Sequence, residues 1–89
     1  MAWFEEYVAK VEGVQGGAPV LKGTRTPIRT VIANYRAYGG DLCEVQASLP
    51  HLTATQIKAA LAYNERHRDE IEADEERQRK ALEDFLKAS

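Results

Sequence analysis

Among its 89 residues the chain has one cysteine, two histidines and no long apolar run, and each scarcity excludes something. A lone Cys43 cannot close an internal disulfide, which agrees with a reducing compartment and predicts a cytoplasmic protein. His51 falls in a turn and His67 on a helix, with no second metal ligand at a recognisable spacing, so no metal site is expected. Cys43 and His51 fall at opposite ends of one short helix and do not form a nucleophile and its base. No catalytic residue and no cofactor is assigned, and the chain is read as a non-enzyme. No apolar stretch approaches the roughly 20 residues that span a bilayer. The acidic Glu5 and Glu6 near the start argue against a signal peptide. An excess of positive charge is missing too, the net charge being -2. Up to residue 63, six basic residues face five acidic ones; from residue 64 on, six face nine. Strong non-specific attraction to nucleic acid is not predicted from such totals.

What is present falls into three regions. Residues 1–26 are rich in glycine and β-branched side chains. A strand over 7–11, a turn-rich stretch over 12–18, the short apolar run Pro19-Val20-Leu21 and a turn at Lys22-Gly23 predict a small β-hairpin. A two-stranded hairpin is marginal alone, and a chain this short buries only roughly 60% of its unfolded surface. Both facts predict a homodimer, with strand pairing between the two copies.

Residues 26–63 are punctuated as helices. Thr26 caps and Pro27 opens the first, with Ile28, Val31, Ile32, Tyr35 and Tyr38 forming one apolar stripe. Gly39 and Gly40 end it. Asp41 and Glu44 form a capping box for a second helix that buries Leu42, Val45 and Leu49, and Pro50 stops it. Thr53 and Gln56 form the capping box of a third, whose Ile57, Ala60 and Leu61 face inward.

Residues 64–89 contain neither glycine nor proline, so the third helix is expected to continue to the C-terminus, about 55 Å from Thr53. Pairs four apart, such as Arg66/Glu70, Arg68/Glu72 and Glu75/Arg79, support it, while Glu65/Asp69 and Glu70/Asp74 oppose it. Ile71 is the one large apolar residue before Lys80. Leu82, Phe85 and Leu86 then return at helical spacing, an anchor with no evident target in its own domain. The expectation is a domain at 1–63 for dimerisation and DNA binding, and a partner-binding helix at 64–89.

Two helices joined by the turn at residues 49–52 have the proportions of a helix-turn-helix, whose second helix offers its first residues to base edges. Those residues are Thr53, Thr55, Gln56 and Lys58. Gln56 is suited to bidentate contact with adenine and Lys58 to a phosphate or guanine. Arg29 is a further candidate for phosphate. Arg25 is read as bonding turn carbonyls and locking the hairpin. On spacing alone a plain three-helix packing unit fits as well. A phosphate loop is rejected, because Lys22 precedes Gly-Thr-Arg and a proline opens the helix.

The ordered motifs Gly-Gly-x-Pro-Val-Leu-x-Gly-Thr-Arg-x-Pro-Ile, Gly-Gly-Asp-Leu and Leu-Pro-His-Leu-Thr-Ala-Thr-Gln-Ile-Lys-Ala-Ala-Leu-Ala-Tyr, over residues 8–67, resemble domain-of-unknown-function family 433. That family is associated with VapB-type antitoxins. The resemblance implies a short hairpin, a helix-turn-helix bundle, dimerisation, autoregulatory binding of operator DNA and a PIN-like ribonuclease toxin as partner. The fold expected is mainly α: a short N-terminal β-hairpin, a helix-turn-helix three-helix bundle and a long charged C-terminal helix. Operator DNA is assigned to Arg29, Thr53, Thr55, Gln56 and Lys58, and the toxin to Ile71, Leu82, Phe85 and Leu86. The alternative is an interaction adaptor that never touches DNA.

Overall fold

A computed structural model describes residues 2–88. A 3-10 helix (Trp3–Tyr7) leads into β1 (Val8–Ala9), which pairs antiparallel with β2 (Val20–Leu21), Val8 opposite Leu21 and Ala9 opposite Val20. Four helices follow: α1 (Ile28–Ala37), α2 (Leu42–Ser48), α3 (Ala54–Arg66) and α4 (Arg68–Lys87). The architecture is the mainly helical one expected, with its short N-terminal hairpin.

The strands are shorter than the 7–11 pattern suggested because the aromatic cluster Trp3, Phe4 and Tyr7 coils the chain before it reaches the sheet. The hairpin is tied directly into α1. Leu21 N–H donates to the Thr26 carbonyl (2.9 Å) and Ile28 N–H to the Pro19 carbonyl (3.0 Å). Thr26 is thereby held in the hairpin, and the cap of α1 moves one residue on, to the extended Pro27.

The other stops and caps stand where expected, except that Asp41 caps α2 alone: its N–H donates to the Tyr38 carbonyl, so Glu44 does not close the expected capping box. Asp41 accepts from the backbone N–H groups of Cys43 and Glu44 at the start of α2. Thr53 and Gln56 close a reciprocal capping box, at 3.1 and 2.7 Å, at the start of α3. Gly39 and Gly40 both adopt the left-handed conformation that ends α1, and Gly40 packs on the Tyr35 ring.

Helix α3 is the centre of the molecule, packed by the 3-10 helix, β1, α1, α2 and α4. Its Ala59 and Ala60 are fully buried, and their small side chains let neighbouring backbones approach. Around them lie Phe4, Leu21, Ile28, Val31, Ile32, Val45, Leu52, Ile57 and Tyr63. Tyr38 and Leu42, expected in the core, are exposed, since Tyr38 lies past the last turn of α1 and Leu42 opens α2 facing out.

The largest departure is at the C-terminal third. Instead of one helix of about 55 Å, the chain turns at His67 (φ -122, ψ 42), and the first half of α4 returns onto the domain. Ile71 is fully buried in the chain's own core and Asp74 is 1% exposed. The expected boundary at 63/64 therefore cuts through α3, and the folded unit runs on into α4. None of the ion pairs anticipated within the tail is closed among the described residues. Glu70 reaches Lys10 and Glu75 reaches Arg36, while Arg68 and Arg79 find nearer partners in Glu65, Glu76 and Glu83.

Candidate nucleic-acid face and C-terminal helix

At the start of α3, Thr53, Thr55 and Lys58 are exposed and Gln56 is half-buried. The capping box that builds this helix end also engages two of the four residues assigned to bases. Gln56 Oε1 accepts from Thr53 N–H, so one of its lone pairs and the orientation of the side chain are committed to the cap, which competes with a bidentate grip on adenine. Thr55 and Lys58 remain. Lys58 also borders a groove of about 160 Å³ between α2 and α3, lined by Leu42, Cys43, Gln46, Ala54 and Ile57. His51 Nε2 lies 2.7 Å from Thr26 Oγ1, which brings the hairpin turn against the α2–α3 connection.

That turn is built otherwise than expected. Thr24, not Arg25, locks it: the Thr24 hydroxyl donates to the Leu21 carbonyl (2.7 Å) and accepts from Thr26 N–H (3.1 Å). Arg25 is exposed, and among the described residues its side chain closes no hydrogen bond. With Lys22 it supplies positive charge that the sequence pattern did not single out, because a short turn with one lysine and one arginine carries no spacing signal.

Arg29 is not a free phosphate contact. Its guanidinium donates to Asp74 Oδ2 at 2.8 Å and to Gln15 Oε1 at 3.1 Å, and the side chain is mostly buried. Arg77 reaches the other Asp74 oxygen at 3.4 Å. Arg29 therefore joins α1 to α4, and its assignment to DNA is corrected. Ile71 is likewise a core residue rather than a partner anchor.

The α3–α4 junction gathers a second polar cluster. Tyr63 donates to Glu70 (2.6 Å), Lys10 donates to the other Glu70 oxygen (2.8 Å), and His67 stacks on Tyr63 while bonding Glu5 (3.0 Å). Burial, then the Glu70 hydrogen bond and the Glu70 and Glu5 charges, push the Tyr63 phenol well above its ordinary value. Burial works to raise the Glu70 carboxyl, but hydrogen bonds from Lys10 and Tyr63 and the charges of Lys10 and His67 outweigh it and hold the group low.

The signs give a pH prediction. Tyr63, raised, contributes fully below its unfolded value of 10.0 and its contribution is lost as pH rises beyond that. Glu70, lowered, contributes above its unfolded value of 4.5 and its contribution is lost on acidification through the folded value. The Tm is therefore expected to fall at both ends of the range, with Tyr63→Phe flattening the alkaline limb and Glu70→Gln the acid one. A Tyr63→Phe chain with an unchanged alkaline limb contradicts this assignment.

Beyond Asp74 and Glu75, α4 leaves the domain. Leu82, Phe85 and Leu86 are 58%, 69% and 61% exposed. They sit at i, i+3 and i+4, one apolar stripe on a projecting helix. The tail's acidity does not travel with them, because Glu70, Asp74 and Glu75 are engaged by Lys10, Arg29 and Arg36. From Glu76 on, three acidic residues face four basic ones, so the projecting part is apolar and nearly neutral rather than acidic. Among the described residues no helix is long and apolar enough to cross a membrane.

Compared with known proteins, the chain matches the family model described as "Protein of unknown function (DUF433)" over residues 8–64. No curated protein matches it. The crystal structure of a DUF433 member protein from Anabaena variabilis ATCC 29413 is similar, with a TM-score of 0.67 and 34% identity over 76% of this chain and 66% of that one. This chain thus spans slightly under two thirds of that protein's length. The hairpin, the Gly-Thr-Arg turn, α1, α2 and all but the end of α3 lie within the matched residues, whereas the projecting stripe of α4 lies beyond them, and on this match the chain belongs to the DUF433 family.

Proposed function

We propose that this chain is an antitoxin of the VapB type, whose α4 holds a PIN-like ribonuclease toxin and whose folded part binds operator DNA. The observation that carries the reading is the exposed stripe Leu82, Phe85 and Leu86 on a helix that outruns its own domain. Anchors at i, i+3 and i+4 are what a helix lays into a partner's apolar groove. The surrounding mixed charges keep the stripe soluble without defining the partner's sign. For DNA, the available groups are Thr55 and Lys58, with Arg25 and Lys22 on the nearby turn. Such a small set predicts weak binding by one copy and a need for two.

The test is co-expression with the product of the adjacent gene. A chain carrying Leu82→Asp, Phe85→Asp and Leu86→Asp is expected to fold normally and to lose both complex formation and rescue of growth, a loss of at least 100-fold in affinity, or about 3 kcal/mol. Rescue by the triple variant rules the reading out. The second reading, an adaptor that does not touch DNA, is favoured by the engagement of Gln56 in its cap and of Arg29 with Asp74. An electrophoretic shift with the DNA upstream of the gene separates the two. A shift weakened by Lys58→Ala and Arg25→Ala supports the operator contact, and one indifferent to both supports the adaptor.

A further inference from the structure

The turn between α3 and α4 is unusual in what it is made of. Neither glycine nor proline occurs anywhere from residue 64 on, so no residue near His67 forbids a continuous helix. The helical ladder nearly bridges the turn: His67 N–H donates to Tyr63 (2.8 Å) and Ile71 N–H to His67 (3.1 Å). Between those bonds, the N–H groups of Arg68, Asp69 and Glu70 stand ahead of the α4 ladder, and no side chain caps them. In an unbroken helix they would bond the carbonyls of Asn64, Glu65 and Arg66, which end α3. Straightening at one residue thus restores backbone pairing that the bend forgoes.

Straightening costs the packing of α4 on its own domain. That packing is made of a few discrete contacts: Ile71 in the core, Asp74 with Arg29, Glu70 with Lys10 and Tyr63, and Glu75 with Arg36. A second copy of the same chain presents the same receptors, and no other partner is certain to match an aspartate aimed at a mostly buried arginine beside an isoleucine pocket. A short hinge whose alternative is a better helix is what favours exchange of an element between identical chains.

We propose that this chain forms a domain-swapped dimer: α4 opens at His67, continues α3 as one helix, and packs its first half on the hairpin and α1 of a second copy. Leu82, Phe85 and Leu86 remain exposed in that arrangement, one stripe on each copy. The proposal does not depend on the antitoxin reading.

The test uses the full chain. Asp69 is exposed and lies in the first turn of α4, where proline is tolerated, but in an unbroken helix it would be interior. Light scattering across micromolar to millimolar concentrations is expected to give dimer for the unsubstituted chain and monomer for Asp69→Pro. A wild-type monomer throughout, or a dimer undiminished by Asp69→Pro, overturns the proposal. Exchange is then read by charge reversal. Arg29→Asp and Asp74→Arg each place like charges together within one chain, but a swapped pair of the two variants sets every reversed residue against an opposite charge. Mixing them is expected to give a one-to-one heterodimer with a Tm above that of either alone. Should each variant fail to fold by itself, co-refolding still reads the exchange, and absence of a heterodimer overturns the swap.

Discussion

Replacing Arg29 by alanine is expected to cost roughly 3–5 kcal/mol of folding stability, as expected for removing one member of a buried ion pair. The cost comes from what stays behind. Asp74 is 1% exposed, and without Arg29 its remaining cation is Arg77, whose side chain is 63% exposed and 3.4 Å away. A solvated arginine at that distance offsets little, since exposed pairs contribute about 0–1 kcal/mol. A domain of this size has roughly 4–13 kcal/mol in total, so Arg29→Ala removes a large share of it. Pairing Arg29→Met with Asp74→Leu is expected to recover most of the loss, because both charges then leave the interior together. Urea unfolding of the single and double variants checks this, the slope reporting whether the unfolded reference has changed. A loss under about 1 kcal/mol for Arg29→Ala, with DNA binding reduced, would return Arg29 to the nucleic-acid surface.

How far the sequence could be read follows from the range over which its signals act. Caps act within three residues, and Asp41, Thr53 with Gln56, and the Gly39-Gly40 stop all stand where local chemistry put them. The inward faces of α1 and α3 followed from helical spacing for the same reason. The return of α4 depends on partners 39 to 62 residues away, such as Arg36 for Glu75 and Glu5 for His67. No local pattern encodes those. One local feature does point to the return: Glu70 and Asp74 repel each other on an isolated helix, and both are satisfied once each faces a cation from another element. A single isoleucine in a polar stretch is equally ambiguous, reading as a partner anchor on a free helix and as a core residue on a folded-back one. For the site, the same capping box that made the start of α3 legible made Gln56 a poor base reader.

Two truncations are expected to differ in kind. Among the described residues, those that a cut after Gln78 removes, 79–88, are all exposed, and with them go the exposed ion pairs of Arg79 with Glu76 and Glu83. The shortened chain should keep its helical signal and a cooperative melt within about 4 °C of the full chain, a shift of under ~1 kcal/mol. Cutting after Tyr63 removes the last turn of α3 and all of α4. It deletes Ile71 from the core, where loss of a buried aliphatic side chain alone costs about 2–5 kcal/mol, and it strands Arg29 without Asp74. It also strips the Glu70 acceptor from Tyr63. Together these losses, roughly 5–10 kcal/mol, are comparable to the whole stability of so small a domain, so the second chain should show no cooperative transition. Circular dichroism on heating distinguishes the outcomes. A chain ending at Tyr63 that melts cooperatively near the full-length temperature would mean that the first half of α4 is no part of the fold. The contrast also decides how partner binding is tested: only the cut after Gln78 removes Leu82, Phe85 and Leu86 from a domain that is still folded, so only there does lost binding report on the stripe.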